Sequence, residues 1–279
     1  MTGEQFIQSE DGTQIYVKQF HAAQPKGQVL VVHGYLEHCL RYTEFAEYLC
    51  GKNISVTTYD FRGHGKSGGD RALIRKWKEY EQDFETVRST LNPQLPTFVL
   101  GHSNGGLTTL NYMLGRPADD PEVKSLKGVI LTNPYVEATD AVPWMVLGVV
   151  HTLGRWFPAL KVPSNLRAED LTSDPVKQQE QRDDEHCQAN ATIGWASQGL
   201  KTQARVKNMA KSTPFPVPLL YIYATQDKVA NPKVVEAIGE ILQAKDKTVI
   251  RREEEHEVLN ETNRLETYEI ISSWILERI

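Results

Sequence analysis

Thr97-Phe98-Val99-Leu100-Gly101-His102-Ser103-Asn104-Gly105-Gly106-Leu107, carried on by Leu110, Met113 and Leu114 at helical spacing, is the stretch that decides the fold. An apolar strand-like run meets an apolar helical face through a turn with serine at its tip, which is the context of a nucleophile elbow. A serine on so tight a turn needs neighbours without Cβ atoms, so that the turn closes and a substrate can approach; Gly101, Gly105 and Gly106 meet that need. Ser103 is therefore the candidate nucleophile, set against the plainer reading of an ordinary helix N-terminus. Gly65-Lys66-Ser67-Gly68-Gly69 repeats the pattern, but it lies well past the strand-like run Ile54 to Asp60 and leads into Asp70, Arg71 and Arg75. With no apolar helical face after it, Ser67 reads as loop.

Working outward, the chain opens as a hairpin: Phe6 and Ile7, the turn pair Asp11-Gly12, then Ile15 and Val17 alternating with polar residues up to Phe20. Strands are then predicted at Val29 to Val32, Ile54 to Tyr59, Phe98 to Leu100, Val129 to Leu131, Leu219 to Tyr223 and Thr248 to Ile250. Several are unbroken aliphatic runs, as expected where helices cover both faces of a mostly parallel sheet. Helical spacing falls between them, at Thr43 to Leu49, Trp77 to Leu91, Gly106 to Leu114 and Val234 to Leu242, and a last helix should bury Leu265, Tyr268, Ile271 and Ile275 on one face. Such alternation predicts an α/β architecture whose ligands gather beyond the carboxyl ends of the strands, where Ser103 sits.

From about Tyr135 to Ala210 no convincing strand is read, and a structureless loop of that length would be anomalous. An inserted helical cap over 135–210 is predicted, with the core in 1–134 and 211–279. Its apolar start, Pro143 to Val150 and on to Leu153, Trp156, Phe157 and Leu160, is too short to cross a bilayer with Arg155 within it. Two readings stay open for it: a helix packed on the core, or a partly exposed lid that takes an acyl chain or touches lipid. Asp174 to Glu185, densely charged, reads as a solvated surface.

Composition narrows the function classes. The 279 residues, 40% hydrophobic and 24% charged, suit one large α/β domain or two small ones. A formal net charge of −5 without a basic cluster argues against a sequence-independent grip on nucleic acid. Cys39, Cys50 and Cys187, an odd set without framework spacing, fit a reducing compartment rather than a disulfide scaffold. Met1-Thr2-Gly3-Glu4-Gln5 lacks the start of a secretory signal, so a cytoplasmic protein is expected, and the triplets at Asn190 and Asn260 are not expected to carry sugar.

A serine hydroxyl needs a histidine base, and that histidine an acid to fix its tautomer and stabilise its charge. Behind an elbow of this kind the order is serine, acid, histidine. His256, the last histidine, follows the strand at Thr248 to Ile250, although Glu253, Glu254, Glu255 and Glu257 also fit a solvated loop. Asp227, just past the strand Leu219 to Tyr223, is the predicted acid; a turn aspartate is the alternative. Two amides should face the developing oxyanion: Asn104, the residue after the nucleophile, and Tyr35, in the loop His33-Gly34-Tyr35 after the strand Val29 to Val32. No cofactor is expected, and no histidine and cysteine cluster has metal-ligand spacing.

These motifs together resemble the monoacylglycerol lipase and lysophospholipase branch of the α/β-hydrolase superfamily, almost from end to end. The marks are His33-Gly34 with Glu37, His38, Arg41 and Tyr42; Asp60 and Arg62 to Gly65 with Ser67; Gly101 to Ser103 with Gly105 and Gly106; Asp227; and His256 with Leu259, Asn260 and Glu261. The resemblance implies an α/β-hydrolase fold and cleavage of a fatty acyl ester such as monoacylglycerol, with lysophospholipase or short-chain esterase as alternatives and a non-catalytic receptor as the alternative from another class. It implies a lipid or small acyl ester as partner, transient membrane contact through the cap, and Glu37 and Arg41 near the polar head of the substrate; a structural ion pair is the rival reading for those two. Asn104 departs from the methionine usual after the serine, the segment before His256 is unusually acidic, and the cap is the least similar region.

Overall fold

A computed structural model describes residues 2–140 and 144–279. The opening run forms β1 (Thr2–Gln8) and β2 (Gln14–Phe20), paired antiparallel with Ile7 opposite Ile15. Gly12 turns between them at φ +89°, where a side chain would be strained. Then follow β3 (Gly27–Val32), β4 (Ile54–Tyr59), β5 (Thr97–His102), β6 (Leu126–Thr132), β7 (Leu219–Ala224) and β8 (Lys247–Arg252). Each predicted strand lies inside one of these. They join in the order β1-β2-β4-β3-β5-β6-β7-β8, antiparallel at the first two joins and parallel beyond.

The unbroken aliphatic runs are explained by burial on both faces. Leu30, Val32, Val99, Leu131, Leu219 and Tyr221 point into one apolar layer, and Val29, Val31, Phe98, Leu100, Leu220 and Ile222 into the other. Helices α2 (Lys78–Arg88) and α3 (Ser103–Leu114) cover the first layer through Tyr80, Phe84, Leu107 and Leu110. Helix α1 (Thr43–Gly51) and the last helix, Arg264–Leu276, cover the second through Phe45, Leu49, Tyr268 and Ile271. Each fully buried aliphatic or aromatic side chain contributes about 1.5–3 kcal/mol, so the two layers dominate stability. Leu265 departs from the expected face: it is exposed, and Trp274 packs inward with Tyr268, Ile271 and Ile275.

Residues 135–210 add no strand to the main sheet among the described residues. They contain α4 (Trp144–Trp156), α5 (Pro175–Asp183) and α6 (Ile193–Met209). Where no strand is read between Tyr135 and Ala210, the structure holds a short antiparallel ribbon, Lys161–Pro163 with Asn190–Thr192, too brief to give a periodicity signal. Pro143, where the apolar run was expected to begin, lies outside the described residues. Further on, Val149, Trp156 (70% exposed), Phe157 (64%) and Leu160 face solvent, which favours the exposed reading of that run. Helix α5 buries none of its side chains, in keeping with a solvated surface. No helix among the described residues is long and apolar enough to cross a membrane.

Candidate active site

Strand β5 ends at His102, and the chain turns at Ser103 into α3 with φ +50°, a left-handed conformation that costs about 1–3 kcal/mol for a residue with a side chain. The close approach that the glycines permit is measurable. A Cβ on Gly105 would lie 2.0 Å from the Val32 carbonyl oxygen, and one on Gly101 would lie 2.8 Å from the Gly105 carbonyl oxygen. Ser67 forms no such turn: its buried hydroxyl accepts from the Tyr16 amide at 2.9 Å and donates to the Asp60 carbonyl at 2.7 Å, tying loop to hairpin.

His256, in the loop after β8, lies with Nε2 2.8 Å from Ser103 Oγ and Nδ1 2.7 Å from Asp227 Oδ2. Asp227, in the loop after β7, is held by the amides of Val229 and Ala230, which donate to its Oδ1 at 2.7 and 2.8 Å. Three side chains separated by up to 153 positions thus form one hydrogen-bonded line, with all three buried. Burial pushes the His256 imidazole down, but the charge and hydrogen bond of Asp227, then Glu257 and Glu37, outweigh it and leave the pKa raised. The neighbouring His102 ring, 4.9 Å away and 3.0 Å from Thr132 Oγ1 through Nδ1, is driven well below the ordinary histidine range by burial and by His256. It stays neutral beside His256.

The loop after β3 is fixed by His33, whose Nε2 accepts from the Phe61 amide at 2.9 Å while Nδ1 lies 2.6 Å from the Gly34 carbonyl. Tyr35, expected to matter through its amide, also builds the wall of the site. Its ring stacks on Trp195 of α6 at 3.5 Å between centroids, and its hydroxyl donates to the Ala72 carbonyl at 2.7 Å. Among the described residues its amide donates no hydrogen bond. The Asn104 amide sits in the first turn of α3, where helical amides lack an intrahelical partner. The Asn104 side chain is fully buried, accepting from Trp195 Nε1 at 3.3 Å.

Glu37 and Arg41 are joined at 3.0 Å, and Arg41 is bonded in turn to Glu257 at 2.5 Å. Glu37 also accepts from the Gly34 amide and from the Tyr42 hydroxyl, at 2.5 and 2.8 Å. Burial and then Glu257 push the Glu37 carboxyl up against the pull of Arg41; burial alone would lower Arg41, and the two carboxylates reverse that. Glu37 and Glu257 line the cavity at Ser103, whereas Arg41 is behind them, bracing both. The ion pair is thus structural in its bonding and one carboxylate deep from the cavity.

Sequence reasoning overlooked Asn133, at the end of β6. Its Oδ1 accepts from the Ala224 amide at 2.6 Å, its Nδ2 donates to the His256 carbonyl, and its φ is +43°. One side chain therefore ties the end of β7, ahead of Asp227, to the loop of His256. Its place at the carboxyl edge of a predicted strand, with asparagine's tolerance of left-handed backbone, was the available signal. Trp195 and Tyr135 were also missed. They line both the cavity at Ser103, about 210 Å³, and a second apolar cavity of about 460 Å³ between α4 and α6.

Residues 23–263 match the family described as Hydrolase_4: Serine aminopeptidase, S33. The chain is 29% identical over 262 residues to the monoacylglycerol lipase of Mycolicibacterium smegmatis, covering 91% of this chain and 90% of that protein. It is 28% identical over 257 residues to an uncharacterized abhydrolase domain-containing protein of Dictyostelium discoideum, covering 91% of this chain but 27% of that longer protein. The crystal structure of the monoacylglycerol lipase of Paleococcus ferrophilus superposes with a TM-score of 0.84 at 25% identity, covering 95% of this chain and 99% of that one. The chain belongs to the Hydrolase_4 family of serine hydrolases, on the α/β-hydrolase fold, and within it is similar to the monoacylglycerol lipases.

Proposed function

We propose that the protein hydrolyses fatty acyl esters of the monoacylglycerol type. Ser103 Oγ attacks the ester carbonyl while His256 Nε2 takes its proton, and Asp227 holds the imidazole with Nδ1–H toward itself and stabilises its charge. The amides of Tyr35 and Asn104 receive the oxyanion, a donor of this kind being worth about 10²–10³ in rate. His256 then protonates the leaving alcohol, and water, deprotonated by the same imidazole, releases the fatty acid from Ser103. The single observation that carries this reading is the line of 2.8 and 2.7 Å hydrogen bonds from Ser103 through His256 to Asp227. The similarity to monoacylglycerol lipases supports the substrate class.

In this reading residues 135–210 are the cap. The acyl chain lies along Leu36, Leu166, Leu171, Tyr135 and Trp195, and the glycerol hydroxyls donate toward Glu37. The exposed Trp156 and Phe157 suit a cap that touches lipid. The test is labelling by a fluorophosphonate and turnover of monoacylglycerols of graded length, lysophosphatidylcholine, p-nitrophenyl acetate and an aminoacyl amide. Labelling lost in Ser103→Ala, with monoacylglycerol preferred, is the expected result. An unlabelled wild-type chain points to a receptor, and preference for acetate or for the amide removes the lipid assignment.

A further inference from the structure

Away from Ser103, three different donor types meet across the seam between core and inserted segment. His38 lies in the loop after β3, three residues past Tyr35, while Asp184 and Cys187 follow α5. The donor atoms of the three lie within 4.8 Å of one another, and His38 Nε2 is 2.6 Å from Asp184 Oδ2. We propose that His38, Asp184 and Cys187 form a binding site for a borderline-soft divalent cation, Zn²⁺ above all, that fastens the Tyr35 loop to the inserted segment.

The donor set selects the metal. Imidazole and thiolate suit zinc and disfavour Mg²⁺ and Ca²⁺, which prefer all-oxygen shells. Zinc bonds of about 2.0–2.3 Å at tetrahedral angles put donor atoms about 3.3–3.7 Å apart, so the cluster closes around the ion with shifts on the order of an ångström. His186, its ring edge-on to His38 at 5.5 Å, offers a further imidazole beside the cluster, with water the other choice for a fourth position. Asp184, Glu37 and Glu257 act on the thiol against the guanidinium of Arg41, whose effect is the largest of the four. Burial, opposed by Arg41 and aided by those carboxylates, pushes the free Cys187 thiol up to about 12, so in the metal-free protein it holds its proton and lies 3.2 Å from Gln181 Oε1. On binding, the S–H proton leaves to solvent and the sulfur takes the metal as thiolate, which makes affinity fall as pH falls.

The competing reading is a His38–Asp184 ion pair with a bystander thiol, and the sulfur separates the two. The full chain, stripped with a chelator, is titrated with Co²⁺ and followed by absorption, then with Zn²⁺ by calorimetry. The proposal expects one equivalent per chain, a thiolate-to-cobalt charge-transfer band, and loss of that band when Zn²⁺ is added. Outer-shell partners alone are worth about 10–100-fold in affinity, so removing a direct ligand in Cys187→Ser or Asp184→Asn should weaken binding by more than about a hundredfold. Cys50→Ser, at the other partly exposed thiol, should leave binding unchanged. Fluorophosphonate labelling of Ser103 reports that each variant is folded, and Asp184→Asn carries the test if Cys187→Ser fails it. No charge-transfer band in the wild type, or a band that survives Cys187→Ser, overturns the proposal.

Discussion

Replacing Asn133 by alanine takes away two hydrogen bonds at once, because its Oδ1 holds the Ala224 amide and its Nδ2 holds the His256 carbonyl. Both partners are backbone groups in a buried region, and leaving each unsatisfied costs about 1–3 kcal/mol. Alanine must also keep the left-handed conformation of Asn133, φ +43°, at about 1–2 kcal/mol more. The sum, about 3–8 kcal/mol, is a large share of the stability of an ordinary domain, and urea unfolding at constant m-value measures it. Asn133→Gly relieves the backbone strain but not the lost hydrogen bonds, so it should stay about 2–6 kcal/mol below the wild type. Because the tie joins the loops of the proposed acid and base, kcat/KM of the surviving folded fraction should drop by about a hundredfold, the cost typical of a misplacement near an ångström. Alanine within 1 kcal/mol of wild type, or glycine fully restored, would refute the view that this side chain holds the two loops together.

Further outcomes are expected at the His256–Asp227 pair, at Trp195 and at the exposed Trp156 and Phe157. In the proposed mechanism His256 must be neutral to accept the serine proton, and its pKa is raised, so the acid limb of the kcat/KM profile should lie above the ordinary histidine value. Asp227→Asn, leaving the lowering effect of burial less opposed, should move that limb to lower pH and cut kcat by about 10⁴; an unmoved limb contradicts the assignment. The protonated His256–Asp227 pair contributes stability that is complete below the unfolded histidine pKa and fades as pH rises through the folded one, the opposite trend to activity. Trp195→Ala should open the cavity at Ser103 into the neighbouring one and raise kcat/KM for long over short acyl chains by at least about tenfold, one methylene being worth about 1–3 kcal/mol; an unchanged chain-length profile places the acyl chain elsewhere. The double change Trp156→Ala, Phe157→Ala should reduce co-sedimentation with phosphatidylcholine vesicles while leaving turnover of a soluble ester intact, and equal sedimentation would show that lipid contact lies on another surface.

The amino-acid sequence by itself determined the α/β alternation, the turn from strand to helix at Ser103 and the strand ends that carry Ser103, Asp227 and His256. Those are local signals: aliphatic runs buried on two faces of a sheet, glycines where backbone passes within contact of backbone, and a strand end before each side chain. Its weak points were equally local. Three-residue strands such as Lys161–Pro163 are too short for a period to show, and the face of the last helix was misjudged at Leu265 because the buried stripe runs through Thr267, Tyr268, Ile271 and Trp274 and leaves Leu265 on its flank. Only the tertiary structure decided how the pieces meet. Asn133 gains its importance from a carbonyl 123 positions away, Trp195 from a ring in the loop after β3, and Arg41 from two carboxylates on separate elements. His38, Asp184 and Cys187 converge because the stretch after α5 lies against that same loop, the Gln188 amide donating to the Leu36 carbonyl. Contacts of this kind leave no spacing along the chain, since what brings their atoms together is the burial of surfaces formed by residues far apart in order.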